Sequence, residues 1–182
     1  MKEKIQMKIK HINPVIFLLL SFIAAVHGQQ QTACSVTAYI SDLDPKGLNV
    51  RSGAGADFET IGAIPFSGDG TAVDITASSG KWVKISGARN AEGDRVFSRS
   101  GWVYASLLAV SIGGGGRDGT AAAYATASKT SKVVARLPVD TQYALESCAG
   151  SWMKISIAKK DKMIPGWIPN ENQCGNPWTT CP

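Results

Sequence analysis

The sequence predicts an all-β protein built of two small antiparallel barrels in tandem after a signal peptide, and three observations carry that prediction. The 182 residues include 19 glycines and 8 prolines with only 8% aromatics, a composition of short strands and frequent turns rather than a helical bundle. The chain also repeats itself: LNVRSGAGADFETIGAIP at 48–65 aligns without a gap with AAAYATASKTSKVVARLP at 121–138, an offset of 73. Downstream, GKWVKIS with Trp82 recurs as GSWMKIS with Trp152 at an offset of 70, and SGWV with Trp102 recurs as PGWI with Trp167 at an offset of 65. Finally, apolar and polar residues alternate as half-buried strands require. Val73 and Ile75 share one face of TAVDITA, and Val83 and Ile85 flank Lys84 in WVKIS.

Taken in order, residues 1–28 have the form of a secretory signal peptide: Lys2, Lys4, Lys8 and Lys10, an apolar run from Val15 to Val26 broken only by Ser21, then Gly28 and Gln29. As a helix the apolar run would span about 18 Å against a hydrocarbon core of about 30 Å, which argues against a membrane anchor. Cys34 follows Ala33, but Gln31 and Thr32 lack the aliphatic character of a lipidation site. The mature chain has no transmembrane segment. The first repeat unit, 34–110, carries short strands separated by SGAGAD, FSGDG, SSG and a longer GARNAEGDRVFSRS loop. Residues 111–119, SIGGGGRDG, read as a flexible linker because four consecutive glycines bring no side chain to pack. The second unit, 120–173, keeps the strands and shortens the long loop to IAKKDKMIP, and 174–182 form a cysteine-containing tail in which Trp178 covers apolar surface. Each unit is about sixty residues, a size marginal for a lone domain, so a disulfide or a neighbouring unit is expected to support it.

The formal charge of +5 falls to +2, 15 basic against 13 acidic residues, once the leader's four lysines and Glu3 are set aside. That balance gives no basis for a nucleic-acid partner, which needs clustered Lys and Arg. Lys159, Lys160 and Lys162 form the one basic cluster and read as a solvated loop. Cys34, Cys148, Cys174 and Cys181 all lie beyond the leader, and an even count in an exported chain predicts two disulfides. Their connectivity stays open: Cys174 with Cys181 around GNPWTT, a tie from the tail to Cys148, or a Cys34–Cys148 bridge that would lock the units together. Both histidines, His11 and His27, belong to the leader, and there is no CxxC pair. Nucleophilic triads and the common zinc sites are thereby excluded, and neither metal nor cofactor is expected. Asp42 with Asp44, and Glu92 with Asp94, lie among turn formers and read as turn residues rather than a carboxylate pair for hydrolysis.

LNVRSGAG, Ile61-Gly62-Ala63-Ile64-Pro65, GKWVKI and Gly101-Trp102-Val103-Tyr104 before SLL resemble the bacterial Src-homology-3-like (bacterial SH3) domain over nearly all of 36–110. The second copy has lost the LNVRSG opening, with Ala121 to Ala125 in its place. The resemblance implies tandem small β-barrels in a non-catalytic role that bind peptidoglycan or an envelope protein, in the periplasm or outside the cell. No stretch remains that is long enough for a catalytic partner domain. Trp82, Trp102, Trp152 and Trp167 each either pack a core or wall a shallow groove that stacks on a ligand. Tyr104 ends the Gly-Trp-Val strand with a hydroxyl, whereas Pro169 takes its place in the second unit; Tyr124 is a further ligand-binding candidate there. Arg51 and Asn49 alternate with Leu48 and Val50; Asn49 suits a hydrogen bond to turn backbone, and Arg51 either grips a carboxylate or pairs with a surface acid. The expected function is an exported, non-catalytic binding module, with a secreted spacer or assembly subunit as the alternative.

Overall fold

Alternation decides which face of each strand is buried in the computed structural model, which describes residues 30–175. The first half contains β1 (Thr32–Ile40), β2 (Leu48–Arg51), β3 (Thr60–Ile64), β4 (Ala72–Ser79), β5 (Trp82–Arg89), β6 (Arg95–Phe97) and β7 (Gly101–Tyr104), then a 3-10 turn (Ala105–Leu107) and β8 (Leu108–Ile112). The second half contains β9 (Thr120–Tyr124), β10 (Val133–Pro138), β11 (Gln142–Ala149), β12 (Trp152–Lys159) and β13 (Lys162–Ile168), then a 3-10 turn (Asn170–Asn172) and β14 (Gln173–Cys174). The protein is all-β, and its strand pairings are antiparallel. Leu48 and Val50 of β2, Val73 and Ile75 of β4, and Val83 and Ile85 of β5 are buried, as are Leu145, Met153 and Ile155 of the β11–β12 hairpin. These side chains form one core that runs through both halves rather than two separate ones. Each fully buried Ile, Leu or Val contributes about 1.5–3 kcal/mol, so a shared core offsets the marginal size of either half.

The continuity has a backbone cause. The strands follow one path, β10-β9-β13-β12-β11-β8-β1-β4-β5-β7-β2-β3, with β6 on β5 and β14 on β8. Strand β8 therefore serves both halves. Leu108 and Ala109 pair with Ile40 and Tyr39 of β1, Ala109 to Ser111 pair with Ala144 to Gln142 of β11, and Ser111 and Ile112 pair with Cys174 and Gln173 of β14. Tyr39 adds a 2.9 Å hydrogen bond between its hydroxyl and that of Ser111. Burial raises the Tyr39 phenol above its ordinary pKa, against the smaller lowering effect of that bond.

The expectation of a flexible linker over 111–119 is corrected here. Ser111 and Ile112 are strand, Gly113 and Gly114 are pinned to the second 3-10 turn, and the Gly116 N–H donates to Thr120 O at 2.9 Å. The Gly113 N–H donates to Asn172 O at 3.2 Å, and Asn172 Nδ2 donates to Gly113 O at 3.0 Å and Gly114 O at 2.8 Å. Gly114, at φ +56°, lies so close to Glu171 that a Cβ would strike its carbonyl oxygen. The lack of side chains serves close approach and, at Gly114, a left-handed φ, rather than mobility.

Three further corrections concern loops. Part of GARNAEGDRVFSRS is strand: β5 runs to Arg89 and β6 pairs with it. IAKKDKMIP is a hairpin, Lys159 opposite Lys162, rather than a loop. The boundary at 173/174 falls inside a strand, β14, which follows the second 3-10 turn, while residues 176–182, with Trp178 and Cys181, lie outside the described residues, as does the leader.

The open cysteine question resolves to a Cys34–Cys148 disulfide across 114 residues, joining β1 to β11. Around it the Ser35 N–H donates to Gly150 O and the Gly150 N–H to Ala33 O, both at 2.8 Å, and Ser78 Oγ donates to Cys148 O at 2.7 Å. Cys174 is disulfide-bonded as well.

Candidate functional site

Strands β2, β5 and β7 lie side by side, which brings distant sequence positions together. Arg51 sits opposite Trp102, and Trp102 opposite Lys84; Trp82 sits opposite Tyr104. Trp102 is 4% exposed and packs with Ala54, Ala77 and Trp82, so its ring belongs to a small core. Trp82 and Tyr104 are half-buried, their rings meeting edge to face at 5.5 Å and 66°. The Arg51 guanidinium lies 6.0 Å from the centre of the Trp82 ring and donates from Nη1 to Phe58 O at 2.8 Å. It is thus held by a carbonyl and a π face, with no acidic partner among the described residues. A cleft of about 270 Å³ opens beside these groups, walled by Asp42, Asp44, Asn49, Arg51, Trp82 and Tyr104. Asn49 is exposed and makes no side-chain hydrogen bond among the described residues.

Asp42 and Asp44 perform turn chemistry: the Asp44 N–H donates to Asp42 Oδ1 at 3.2 Å and the Lys46 N–H to Asp44 Oδ1 at 2.9 Å. Local sequence signals that role, since Asx turns are short-range. Their place in the wall of the cleft has no local signal, because the β1–β2 connection meets β5 and β7 only in the folded chain.

The segment from the end of that connection to the middle of β8 contains every strand that holds Arg51, Trp82 and Tyr104. Residues 46–109 match the family model of the bacterial SH3 domain. No curated protein matches the chain. The bacterial SH3 match leaves out β1, whose pairing with β4 and β8 completes the first half, and it does not extend into β9 to β14.

In the second half Tyr124 sits opposite Trp167, and Trp167 opposite Lys154. Trp152 and Tyr124 meet edge to face at 5.8 Å and 84°, so Tyr124 occupies beside Trp152 the place that Arg51 occupies beside Trp82. Trp152 and Trp167 are half-buried, and Pro169, at the place matching Tyr104, is buried. Charge is paired nearby. Lys154 bonds Glu146 at 3.0 Å, and Lys129 bonds Glu171, which holds the Glu171 carboxyl below its ordinary range. Of the basic cluster, Lys159 Nζ donates to Val134 O at 3.4 Å. No helix among the described residues is long and apolar enough to cross a membrane.

Proposed function

We propose that this protein is an exported, non-catalytic binding module of the bacterial envelope, with two SH3-like barrels and a ligand in peptidoglycan or an envelope protein. The observation that carries the reading is the cleft of Arg51, Trp82 and Tyr104 inside the segment that matches the bacterial SH3 domain, a family commonly used for wall binding. A half-buried aromatic wall backed by a guanidinium that lies over the Trp82 ring suits stacking on an apolar face. Export is supported by the leader-like N-terminal sequence and by a disulfide compatible with an oxidising compartment. The non-catalytic reading is supported by the absence of histidine after position 27 and by the turn roles of Asp42 and Asp44.

The tandem reading is supported by register. Tyr39 pairs with Ala72 and Ala109, while Ser111 pairs with Gln142 and Cys174. The partners differ by 70 and 65 positions, the same offsets that relate the two tryptophan anchors in the sequence. Strand β8 thus plays for the second barrel the part that β1 plays for the first. The spacer alternative draws on the same feature, since a shared strand and a disulfide make a stiff two-unit body.

Retention of the oxidised chain on insoluble peptidoglycan sacculi tests the binding reading. Saturable retention is expected, weakened several-fold by Arg51→Ala and by Tyr104→Ala in variants whose circular dichroism and melting are those of the parent. Retention unaffected by both changes would remove the cleft from the function, and no retention at micromolar protein would move the search to envelope proteins or to the spacer role.

A further inference from the structure

A second cleft, of about 470 Å³, lies where the two halves meet, and no sequence motif announces it. Lys81 and Tyr104 line it from the first half, and Glu146, Lys154, Ser156 and Met163 from the second. Its walls follow from strand alternation. Leu145, Met153 and Ile155 point into the core, so Glu146, Lys154 and Ser156 stand on the opposite face of the β11–β12 hairpin. Across from them the turn carrying Lys81 is held to the first 3-10 turn by the Ala105 N–H, which donates to Lys81 O at 2.9 Å. Tyr104 borders this cleft and the Arg51 cleft alike, so the two clefts adjoin at this residue.

The two clefts differ in charge. Beside Arg51, which is turned onto Trp82 and Phe58 O, the Asp42 and Asp44 carboxylates leave an acidic end. In the second cleft Glu146 neutralises Lys154, and Lys81, exposed and without a side-chain partner among the described residues, leaves a basic end. Met163 also lines this second cleft and is 60% exposed, a flexible thioether that packing in this chain leaves largely unused.

We propose that the two clefts form one track over Tyr104 for an extended peptide, its ammonium group at Asp42 and Asp44 and its carboxylate at Lys81. A neutral glycan supplies neither charge; a short peptide supplies both, separated along an extended backbone. The track needs both halves, so the joint made by β8 and the Cys34–Cys148 bridge holds the two ends of the site in place. This inference rests on the binding role proposed for the Arg51 cleft and assigns that site a ligand class and a second end.

The test is a titration of the oxidised, nitrogen-15-labelled chain with penta-alanine in four forms: free termini, N-acetylated, C-amidated, and capped at both ends. Amide shifts at Asp44 and Asn49 in the first cleft, at Lys81 and Ser156 in the second, and at Tyr104 between them are expected with the free peptide, and each cap weakens binding about fivefold, the worth of one exposed ion pair. Lys81→Glu, in an exposed turn away from the core, is expected to abolish the difference between acid and amide while preserving the effect of N-acetylation. Equal binding of all four forms, shifts confined to one cleft, or no shifts at millimolar peptide overturns the proposal. Sacculus retention separates this outcome from the broader reading. Sacculi held by Arg51 and Tyr104 with no response to penta-alanine leave wall binding standing and remove the peptide track; a peptide response without sacculus retention does the reverse.

Discussion

Gly101 and Gly166 precede the second tryptophan of each half, and each stands under another strand. A Cβ on Gly101 would strike Val50 Cγ1 and lie 3.0 Å from Arg51 O and from Ile61 Cδ1. On Gly166 it would strike Ile157 Cδ1 and lie 3.1 Å from the Ala123 Cβ. Neither position has a left-handed φ, so the requirement is space rather than backbone freedom. Gly101→Ala and Gly166→Ala are each expected to destabilise by about 1–3 kcal/mol, the usual cost of overpacking. Urea unfolding checks this, and an unchanged midpoint for either variant would mean that the crossing strand yields freely. The sequence made both glycines visible through the paired SGWV and PGWI, and it singled out Arg51, Trp82, Tyr104, Tyr124, Trp152 and Trp167. It was silent on Lys81, Glu146 and Met163 as wall residues. Each is an ordinary surface residue in its own strand or turn, and only the docking of β11–β13 against the first 3-10 turn gives them a common cavity.

Three hairpins with two-residue connections solve one geometric problem in two ways. Ser79 pairs with Trp82 across Gly80-Lys81, Ala149 with Trp152 across Gly150-Ser151, and Lys159 with Lys162 across Lys160-Asp161. The first connecting residue is left-handed in all three: Gly80 at φ +58°, Gly150 at φ +56° and Lys160 at φ +54°. Glycine adopts that region freely, whereas an L side chain costs about 1–2 kcal/mol there. Lys160→Gly is therefore expected to stabilise by about 0.5–1 kcal/mol after the added entropy of the unfolded chain is counted, and Gly80→Ala to destabilise by about 1 kcal/mol. Nothing lies within 4 Å of a Cβ at Gly80, so the second effect isolates the backbone. Thermal melts of the two variants should move in opposite directions, and movement in the same direction would show that contacts rather than φ govern these turns. Strands with strict alternation, such as WVKIS, were legible in the sequence; β6 was not, because three residues among Gly, Asn and Arg carry too short a period. Strand β8 did carry a signal: LLAVSI is apolar almost without alternation, the mark of a strand covered on both faces, and it sits where the repeat places a boundary.

At the scale of the molecule, strand β8 joins the two halves that the repeat marks out. Similarity between copies reports common strands, but which strand edges pair is a long-range outcome that periodicity does not encode, and four glycines in a row pointed to mobility when the fold uses them for close contact. If β8 is the opening strand of the second half, a fragment of residues 120–182 lacks the partner of both β11 and β14. It exposes Leu145 and Tyr143 and leaves the N–H and C=O groups of Gln142 to Ala144 without the ladder bonds that β8 supplies. A fragment that begins at residue 106 restores β8 and with it the register of Ser111 opposite Gln142 and Cys174. With Cys148→Ser in both, the longer fragment is expected to give dispersed amide resonances and a cooperative melt, and the shorter one to give neither. In the intact chain, Cys34→Ser with Cys148→Ser should lower stability by about 2–4 kcal/mol, the usual worth of a disulfide that closes a long loop. The core and the β8 ladder run through both halves without the bridge, so the loss should leave a single transition, with calorimetric and van't Hoff enthalpies still equal. Two resolved transitions in that variant, or a folded fragment of 120–182, would mean that each half carries its own stability and that β8 merely lies between them.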